Sequence, residues 1–201
     1  DFAAGLLEQT ANHLHLIEGS ACDIELLHRR ADEITDLPGA SLDCVVINSV
    51  AQYFPNINYF LTVLKNALPL VRHGGTLFLG DLRNYKLMDV FHASIQLSKV
   101  AATQPVGSLL QRIQRYAALE RELLLDPGLF SQIVDEWPRV SYVQILPKPG
   151  FAKNELSNFR YDAILHLDVP PPEQNVNALW LDWNEIESED KLEHIRQILS
   201  P

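Results

Sequence analysis

Two long apolar segments constrain the fold of this chain more than any other feature of its sequence. The segments "LDCVVINS" (42–49) and "TLFLGD" (76–81) have the continuous apolar character of strands buried on both faces of a parallel sheet. Between them, "NYFLTVLKNALPLV" (58–71) carries apolar residues at helical spacing, and "HGG" (73–75) predicts a turn. Because a helix that joins two parallel strands forms a right-handed crossover, the sequence predicts an α/β fold.

The same periodicities predict further elements on both sides of this unit. We expect helices over 3–14, 87–100 and 108–125, and strands over 23–30, 140–148 and 159–168. Since only a loop separates the last two strands, they are expected to form an antiparallel edge of the sheet.

The character of the sequence changes after Asp168. The segment "VPPPEQN" (169–175) is rich in proline and predicts a stiff, extended linker, and a short helix is expected near 189–199. A length of 201 residues suits one α/β domain with an appended tail. We therefore expect one domain over 1–168 and a linker with a short helical tail over 169–201.

The net charge, the apolar runs and the cysteine count indicate which partners and which cellular location to expect. The formal net charge of -10 argues against nonspecific binding of nucleic acid, which requires a basic surface. No apolar run approaches the roughly 20 residues of a membrane span, and no signal peptide is visible. Two cysteines are too few for a disulfide framework, so a reducing, cytoplasmic location is expected. No Cys/His cluster has the spacing of metal ligands, and no metal site is predicted.

Polar side chains follow several of the predicted strands, and open α/β sheets bind ligands outside the carboxyl ends of their strands. Asn48 and Ser49 end one strand, Asp81 and Arg83 end another, and Asp32 follows a third. Each has a structural alternative. Asp32 suits a loop or a cap, Asn48 suits a turn cap, and Asp81 can pair with Arg83 at the rim. These residues predict a site but leave its ligand open.

Other polar and aromatic residues also allow a purely structural role. Asp1 suits the N-cap of a helix, and Tyr53 suits the core. His92 lies on an apolar helix face, which is typical of a hydrogen-bonded core histidine. The segment 120–122 has the charges of a solvated helix face.

Several longer motifs resemble a known family. The segments "VVINSVAQYFPN" (45–56) and "GGTLFLGDLRN" (74–84) resemble the methyltransferase domains embedded in nonribosomal peptide synthetases. The segment "NELSNFRYDAIL" (154–165) resembles the second signature motif of the N-methyltransferases among them. "FHAS" (91–94) and "LERELLLDPGLF" (119–130) are also similar. The resemblance extends from residue 1 to residue 168, and "LWLDWNE" resembles the segment that leads back into the adjacent adenylation domain.

This resemblance implies a class I, Rossmann-like methyltransferase sheet that binds S-adenosylmethionine, here without the first strand and its Gly-rich loop. By the same resemblance, Asp1 accepts hydrogen bonds from the ribose hydroxyls, and Asp32 accepts one from the adenine amino group. Ala31 lies beside the ring. Asn48 and Ser49 lie where cofactor and methyl acceptor meet.

The implied reaction transfers a methyl group to the α-amino nitrogen of an aminoacyl thioester held on a phosphopantetheinylated carrier protein. The candidates for orienting the amine or accepting its proton are Asn48, Tyr53 and Glu155. The candidates for substrate binding are Asp81, Arg83, His92 and Arg160. Arg160 has a structural alternative, an ion pair with Asp162 or Glu155. Two other functions stay open: O- or C-methylation in a related megasynthase, and a non-catalytic module that docks a carrier protein.

Overall fold

The computed structural model describes residues 3–14, 23–101, 103–148, 154–173, 192–193 and 195–196. The chain divides into two compact units, Asp1–Pro170 and Pro171–Pro201. Asp1 itself lies outside the described residues, and so does most of the second unit. The elements below belong to the first unit.

A mixed four-stranded sheet forms the centre of the first unit. Its strands in chain order are β1 (Leu42–Asn48), β2 (Val71–Arg83), β3 (Val140–Pro147) and β4 (Arg160–Leu167). The spatial order is β1-β2-β4-β3, with β1 parallel to β2 and both remaining pairs antiparallel. The predicted α/β class and the antiparallel edge are therefore confirmed.

The described residues of the first unit also form helices. They are α1 (Ala4–Leu14), α2 (Ile57–Ala67), α3 (Met88–Ser98), α4 (Val106–Ala118), α5 (Gly128–Glu136) and α6 (Glu155–Phe159). Short 3₁₀ turns occupy Ala51–Tyr53, Leu68–Leu70 and Tyr85–Leu87.

The crossover from β1 to β2 fixes the position of the site. The side chain of Asn56 accepts a hydrogen bond from the Tyr59 backbone nitrogen at 2.9 Å, which caps the start of α2. Phe60 and Leu64 of α2 are 0% exposed and belong to one core with Leu77 of β2. Burying each such side chain contributes about 1.5–3 kcal/mol, so the start of α2 is held close to the end of β1.

Two predicted elements are wrong. Residues 23–30 form no strand, because the side chains that alternate in this segment do not share a buried face: Ile24 and Leu26 are 47% and 36% exposed. The helix predicted over 108–125 ends at Ala118. Beyond it, the backbone donates to other elements instead, with Leu123 bonded to the Gln52 carbonyl at 2.8 Å and Leu125 bonded to β2.

The predicted "HGG" turn is also wrong, since residues 73–75 lie inside β2. The strand pairing is irregular there: Leu42 pairs with Val71, whereas Cys44 already pairs with Thr76. Gly74 makes the irregularity possible with a left-handed φ of 77°. The helix α5 was not predicted.

Candidate functional site

The carboxyl end of β1 opens onto a cleft of about 870 Å³. Small-molecule sites have volumes of roughly 300–1,000 Å³, so the cleft has the size of a ligand site. Three residues predicted from the sequence line it: Ala31, Asn48 and Tyr53. The other lining residues are Leu27, Arg29, Arg30, Ile34, Val46, Ile47, Val50, Phe54, Pro55 and Tyr59.

Most of the cleft wall is apolar or aromatic, and several of its side chains are open to solvent. Val46 is 62% exposed, Val50 45% and Tyr53 70%. Adjacent exposed apolar side chains mark a binding surface more often than an ordinary protein exterior. The cleft therefore favours a ligand with a flat, weakly polar portion.

Asp32 lies immediately behind this wall, where its carboxylate is held by Tyr59 and Arg30. The Tyr59 hydroxyl donates to Oδ1 at 2.7 Å. The Arg30 guanidinium donates to Oδ1 and Oδ2 at 3.1 and 3.0 Å. The hydrogen bond from Tyr59 is the main cause that lowers the pKa of Asp32. The group is thus an ionised acceptor at neutral pH.

Asn48 is packed against a glycine in the neighbouring strand. The two strands place Asn48 opposite Gly80. A Cβ atom on residue 80 would lie 2.0 Å from the Asn48 side-chain oxygen and 2.6 Å from the Phe78 ring. The absence of a side chain at Gly80 therefore lets the Asn48 amide occupy this space at the strand end.

A chain of hydrogen bonds, here named the Asp81 chain, leads from Asn48 to Glu155. The Asn48 amide donates to the Ser49 hydroxyl at 3.3 Å, and that hydroxyl donates to Asp81 Oδ2 at 3.0 Å. Arg160 donates to the same Asp81 oxygen at 2.8 Å and to Glu155 at 2.6 Å. The N-terminus of α6 is thereby connected to the end of β1.

Two members of the Asp81 chain have strained backbones. Ser49 has φ 57° and Asp81 has φ 64°, both left-handed conformations that cost non-glycine residues about 1–3 kcal/mol. At Asp81 the pairing of β2 with β4 is irregular, and the Asp81 backbone nitrogen donates to Asp162 Oδ1 at 2.7 Å. The strain turns both side chains toward each other.

The guanidinium of Arg160 is the cation of the Asp81 chain. Burial lowers the pKa of Arg160, but the carboxylates of Glu155 and Asp81 outweigh it and raise the pKa above its usual value. The predicted structural alternative is present in part, since Arg160 pairs with Glu155. Asp162 instead pairs with Lys148 at 3.0 Å.

A second group of charges, the Arg83 cluster, comprises Arg83, His92, Glu120 and Glu122. Arg83 donates to Glu122 at 2.9 Å and forms an ion pair with Glu120 at the same nitrogen–oxygen distance, and its side chain is 7% exposed. His92 Nε2 lies 3.4 Å from Glu120. Burial raises the pKa of Glu120, but hydrogen bonds from the Glu122 main chain and from Arg83 outweigh it, so the net shift is downward. The predicted solvated helix face at 120–122 is wrong for Glu120, which is 14% exposed.

The structure thus divides the predicted site residues into three groups. Ala31, Asn48 and Tyr53 line the cleft, with Asp32 directly behind it. The predicted residues at positions 49, 81, 155 and 160 belong to the Asp81 chain. Those at positions 83 and 92 belong to the Arg83 cluster. Asp1 lies outside the described residues, and the suggested pair between Asp81 and Arg83 is replaced by separate partners.

Sequence reasoning missed Tyr59, Arg30 and Glu120. Tyr59 follows the N-cap of α2 within one turn, a position that places its side chain beside the end of β1. Arg30 precedes the predicted pair of residues 31 and 32. No local signal marks Glu120, because its burial depends on the end of α4 at Ala118.

The described parts of the chain lack both a group of metal ligands and a membrane-spanning helix. No group of three or more metal-ligating side chains occurs there. None of the helices in these parts is long and apolar enough to span a membrane.

The chain is similar to segments of curated nonribosomal peptide synthetases. It is 40% identical over 163 residues to chondramide synthase cmdD of Chondromyces crocatus, covering 81% of this chain and 4% of that protein. It is 35% identical over 204 residues to the nonribosomal peptide synthetase agiA of Aspergillus flavus, covering 96% of this chain and 3% of that protein. The chain spans only a few per cent of the length of these relatives.

The fold is similar to that of a solved structure at low sequence identity, and a second structure is less similar. A possible exported protein from Bordetella parapertussis has a TM-score of 0.54 and 15% identity, covering 83% of this chain and 51% of that chain. A putative O-methyltransferase from Nostoc punctiforme has a TM-score of 0.49 and 14% identity, covering 81% of this chain and 42% of that chain.

No family model matches the chain. The synthetase relatives, however, cover most of its length, and the signature segments over 45–56 and 154–165 both border the described site. On these grounds the chain is related to a segment of nonribosomal peptide synthetases, and its signature segments are those that resemble the methyltransferase domains embedded in them.

Proposed function

We propose that this chain takes part in methyl transfer from S-adenosylmethionine to the α-amino group of an aminoacyl thioester on a carrier protein. One observation carries the proposal. A single cleft at the end of β1 brings together Ala31, Asn48 and Tyr53, with Asp32 fixed behind its wall. These residues come from the loop before β1, from the end of β1 and from the turn that follows it, and the fold brings them to one place.

The residues of the cleft fit the cofactor in size and in chemistry. Its volume of about 870 Å³ accommodates a nucleoside with an amino acid side arm. The apolar wall suits the adenine ring, with the main chain of Ala31 beside it. Asp32, an ionised acceptor, would hold the adenine amino group. Asn48 and Ser49 present oxygen atoms that suit a sulfonium cation, and Asp1 would hold the ribose hydroxyls.

The chemistry requires a neutral amine more than a strong base. When bound, S-adenosylmethionine supplies an electrophilic methyl group; its S–CH₃ bond breaks as the amine forms a C–N bond, leaving S-adenosylhomocysteine and a proton. A free α-amino group has a pKa of about 7.7–8.0, so roughly a tenth of it is neutral at pH 7. An electron-withdrawing thioester and burial both increase that fraction.

The residues near the end of β1 therefore act by orientation. Asn48 and Tyr53 accept hydrogen bonds from the amine, which fixes its lone pair in line with the methyl group. Holding donor and acceptor about 3–3.5 Å apart supplies several kcal/mol of the barrier. Glu155 takes the released proton, and its carboxylate lies on the first turn of α6.

The charged residues beyond the cleft are assigned to the substrate. The sequence assigned Asp81, Arg83, His92 and Arg160 to the substrate. Because both arginines already pair with carboxylates, we assign these residues to the support of the substrate site rather than to direct binding of a phosphate. The partners are the carrier protein and the adjacent adenylation domain, and the reaction belongs to natural product biosynthesis in the cytoplasm. Residues 1–168 form most of the methyltransferase domain, and 169–201 lead toward its neighbour.

The test uses the complete polypeptide that contains this chain. Its carrier domain is loaded with an aminoacyl group and incubated with S-adenosylmethionine that carries a deuterated methyl group. Mass spectrometry of the released aminoacyl group is expected to place the label on the α-nitrogen. A label on oxygen or carbon contradicts N-methylation, and no label with intact carrier binding supports a docking module instead.

A further inference from the structure

We propose that Tyr59 is a specificity-determining residue of the cofactor site, because its hydroxyl group fixes Asp32 to accept a 6-aminopurine and reject its 6-oxo analogue. The inference rests on the proposed function, since it takes the cleft as a nucleoside site. Tyr59 lies in the first turn of α2, and its side chain lines the cleft.

The helix α2 holds Asp32 at both its side chain and its main chain. The Tyr59 hydroxyl donates to Oδ1 at 2.7 Å, and the Asn66 amide donates to the Asp32 carbonyl oxygen at 2.9 Å. The residues that donate are two turns apart on one helix. Rotation of the carboxylate and movement of the loop that carries it are therefore both restricted.

Three acceptor positions of the Asp32 carboxylate are used by described donors. Oδ1 accepts from Tyr59 and from Arg30 Nε, and Oδ2 accepts from Arg30 Nη2. An ionised carboxylate offers about four acceptor positions, and Arg30 Nη2 is the side-chain donor that the structure describes at Oδ2, so this oxygen is the one that we assign to a ligand. Its neighbours Arg30, Ala31 and Tyr59 line the cleft, which places a ligand within reach.

Because Tyr59 keeps its proton and Asp32 has none, the remaining acceptor on Asp32 selects a ligand that donates a hydrogen bond. Burial and the hydrogen bond to Asp32 raise the pKa of Tyr59, so its hydroxyl stays a donor, and Asp32 stays an acceptor. An exocyclic amino group donates to such an oxygen. A 6-oxo group presents an acceptor instead, and a site built for a donor rejects it.

The ring of Tyr59 is held independently of its hydroxyl group. Phe54 packs against it edge to face with centroids 5.0 Å apart, and the Arg30 guanidinium lies 5.7 Å from its centroid. The Tyr59→Phe variant keeps these ring contacts and removes only the donor. It therefore tests the hydroxyl without disturbing the start of α2.

The experiment measures two affinities by calorimetry on the complete polypeptide: S-adenosylhomocysteine and S-inosylhomocysteine, its 6-oxo analogue. The wild type is expected to prefer the 6-amino ligand by roughly 10- to 100-fold, the range for a hydrogen bond to a charged group. Tyr59→Phe is expected to lower this preference at least about fivefold, mostly by weakening the 6-amino ligand. Tyr116→Phe, an exposed tyrosine of α4, is the matched control and should change neither affinity.

A double-mutant comparison tests whether Tyr59 acts through Asp32. In an Asp32→Asn background, Tyr59→Phe is expected to leave the preference unchanged. The inference is overturned if Tyr59→Phe keeps the wild-type preference, or changes it equally in both backgrounds. A wild type that binds neither ligand overturns the proposed function itself, whereas tight binding with an unaffected preference overturns only the role of Tyr59.

Discussion

The cleft and the Arg83 cluster lie at the same end of the sheet but have opposite characters. In the cleft, Tyr53 is 70% exposed and apolar side chains face solvent. In the Arg83 cluster, Arg83 is 7% exposed and Glu120 is 14% exposed, and each charge has an opposite charge beside it. One region keeps its surface open for a ligand, and the other neutralises its charges within the protein.

The difference in exposure indicates that the cleft serves binding and that the Arg83 cluster serves stability. An exposed side chain contributes little to folding, so the wall of the cleft can be optimised for a ligand. A buried ion pair is expensive to break, because removing one partner leaves the other charge without compensation. The Asp81 chain lies between these extremes, since it leads from the exposed Asn48 inward to Asp81 and the part-buried Arg160. Changes at the two ends should therefore affect different quantities.

The largest effect is expected from Arg83→Met, which keeps much of the side-chain volume but leaves Glu120 without its cation. Loss of one partner from a buried pair costs about 3–5 kcal/mol, so we expect the free energy of unfolding to fall by about 3 kcal/mol. Urea denaturation measures this change. Tyr53→Ala is the matched control in the cleft and should cost under about 1 kcal/mol. Similar losses in both variants would remove the distinction between the two regions.

The second effect concerns Asp32, which should matter for the ligand more than for the fold. Asp32→Ala removes an acceptor and is expected to weaken binding of S-adenosylmethionine by about 1–3 kcal/mol. Calorimetry on the complete polypeptide measures the affinity, and thermal unfolding measures stability on the same samples. Unchanged affinity would reject the assignment of Asp32 to the adenine.

A smaller effect, at Asn48, distinguishes a role in orienting the amine from a role in binding the cofactor. Asn48→Ala is expected to lower kcat about tenfold and to change cofactor affinity less than threefold, because positioning acts on the barrier rather than on the bound state. Single-turnover methylation measures the rate of methyl transfer, and calorimetry measures the affinity for the cofactor. Equal losses in both would assign Asn48 to cofactor binding instead.

The smallest effect is a pH dependence of stability that comes from the Arg83 cluster. The pKa of Glu120 is lower in the folded protein than its usual value of 4.5. Its contribution to stability is thus present above pH 4.5 and is lost as the pH falls through the lower, folded value. We expect Glu120→Gln to make the loss of stability between about pH 5 and pH 3 shallower by less than about 1 kcal/mol. An identical acid profile in the variant would show that the cluster does not titrate with folding.

Residues with strong local patterns predicted much of the fold. The strands β1 and β2 and the antiparallel pair of β3 and β4 are confirmed. The expected burial of both faces is wrong for β1, because it is an edge strand in which only Ile47 is buried. The failures share one physical cause, since the end of α4 and the absence of a strand over 23–30 both depend on contacts with distant segments. Leu123, for example, leaves the helical pattern because it donates to the Gln52 carbonyl.

The site was predictable at the end of β1, whereas residue 31 was predictable only from the family resemblance, since residues 23–30 form no strand. Asn48 and Ala31 were expected near a ligand, and both line the cleft. The roles of Tyr59 and Glu120 were not predictable, because their importance lies in the partner that each one meets across the fold. A single sequence reports which residues are polar, but the distribution of their hydrogen bonds is a property of the folded chain.

The contact between Asn48 and Gly80 has a consequence for the evolution of this domain. Any side chain at position 80 would displace the amide of residue 48, because a Cβ there would lie 2.0 Å from its oxygen. Substitutions at positions 48 and 80 are therefore expected to depend on each other, although the two residues are on different strands. A substitution that adds a side chain at position 80 should therefore be designed together with residue 48, because the Asn48 amide has to move to make room for it.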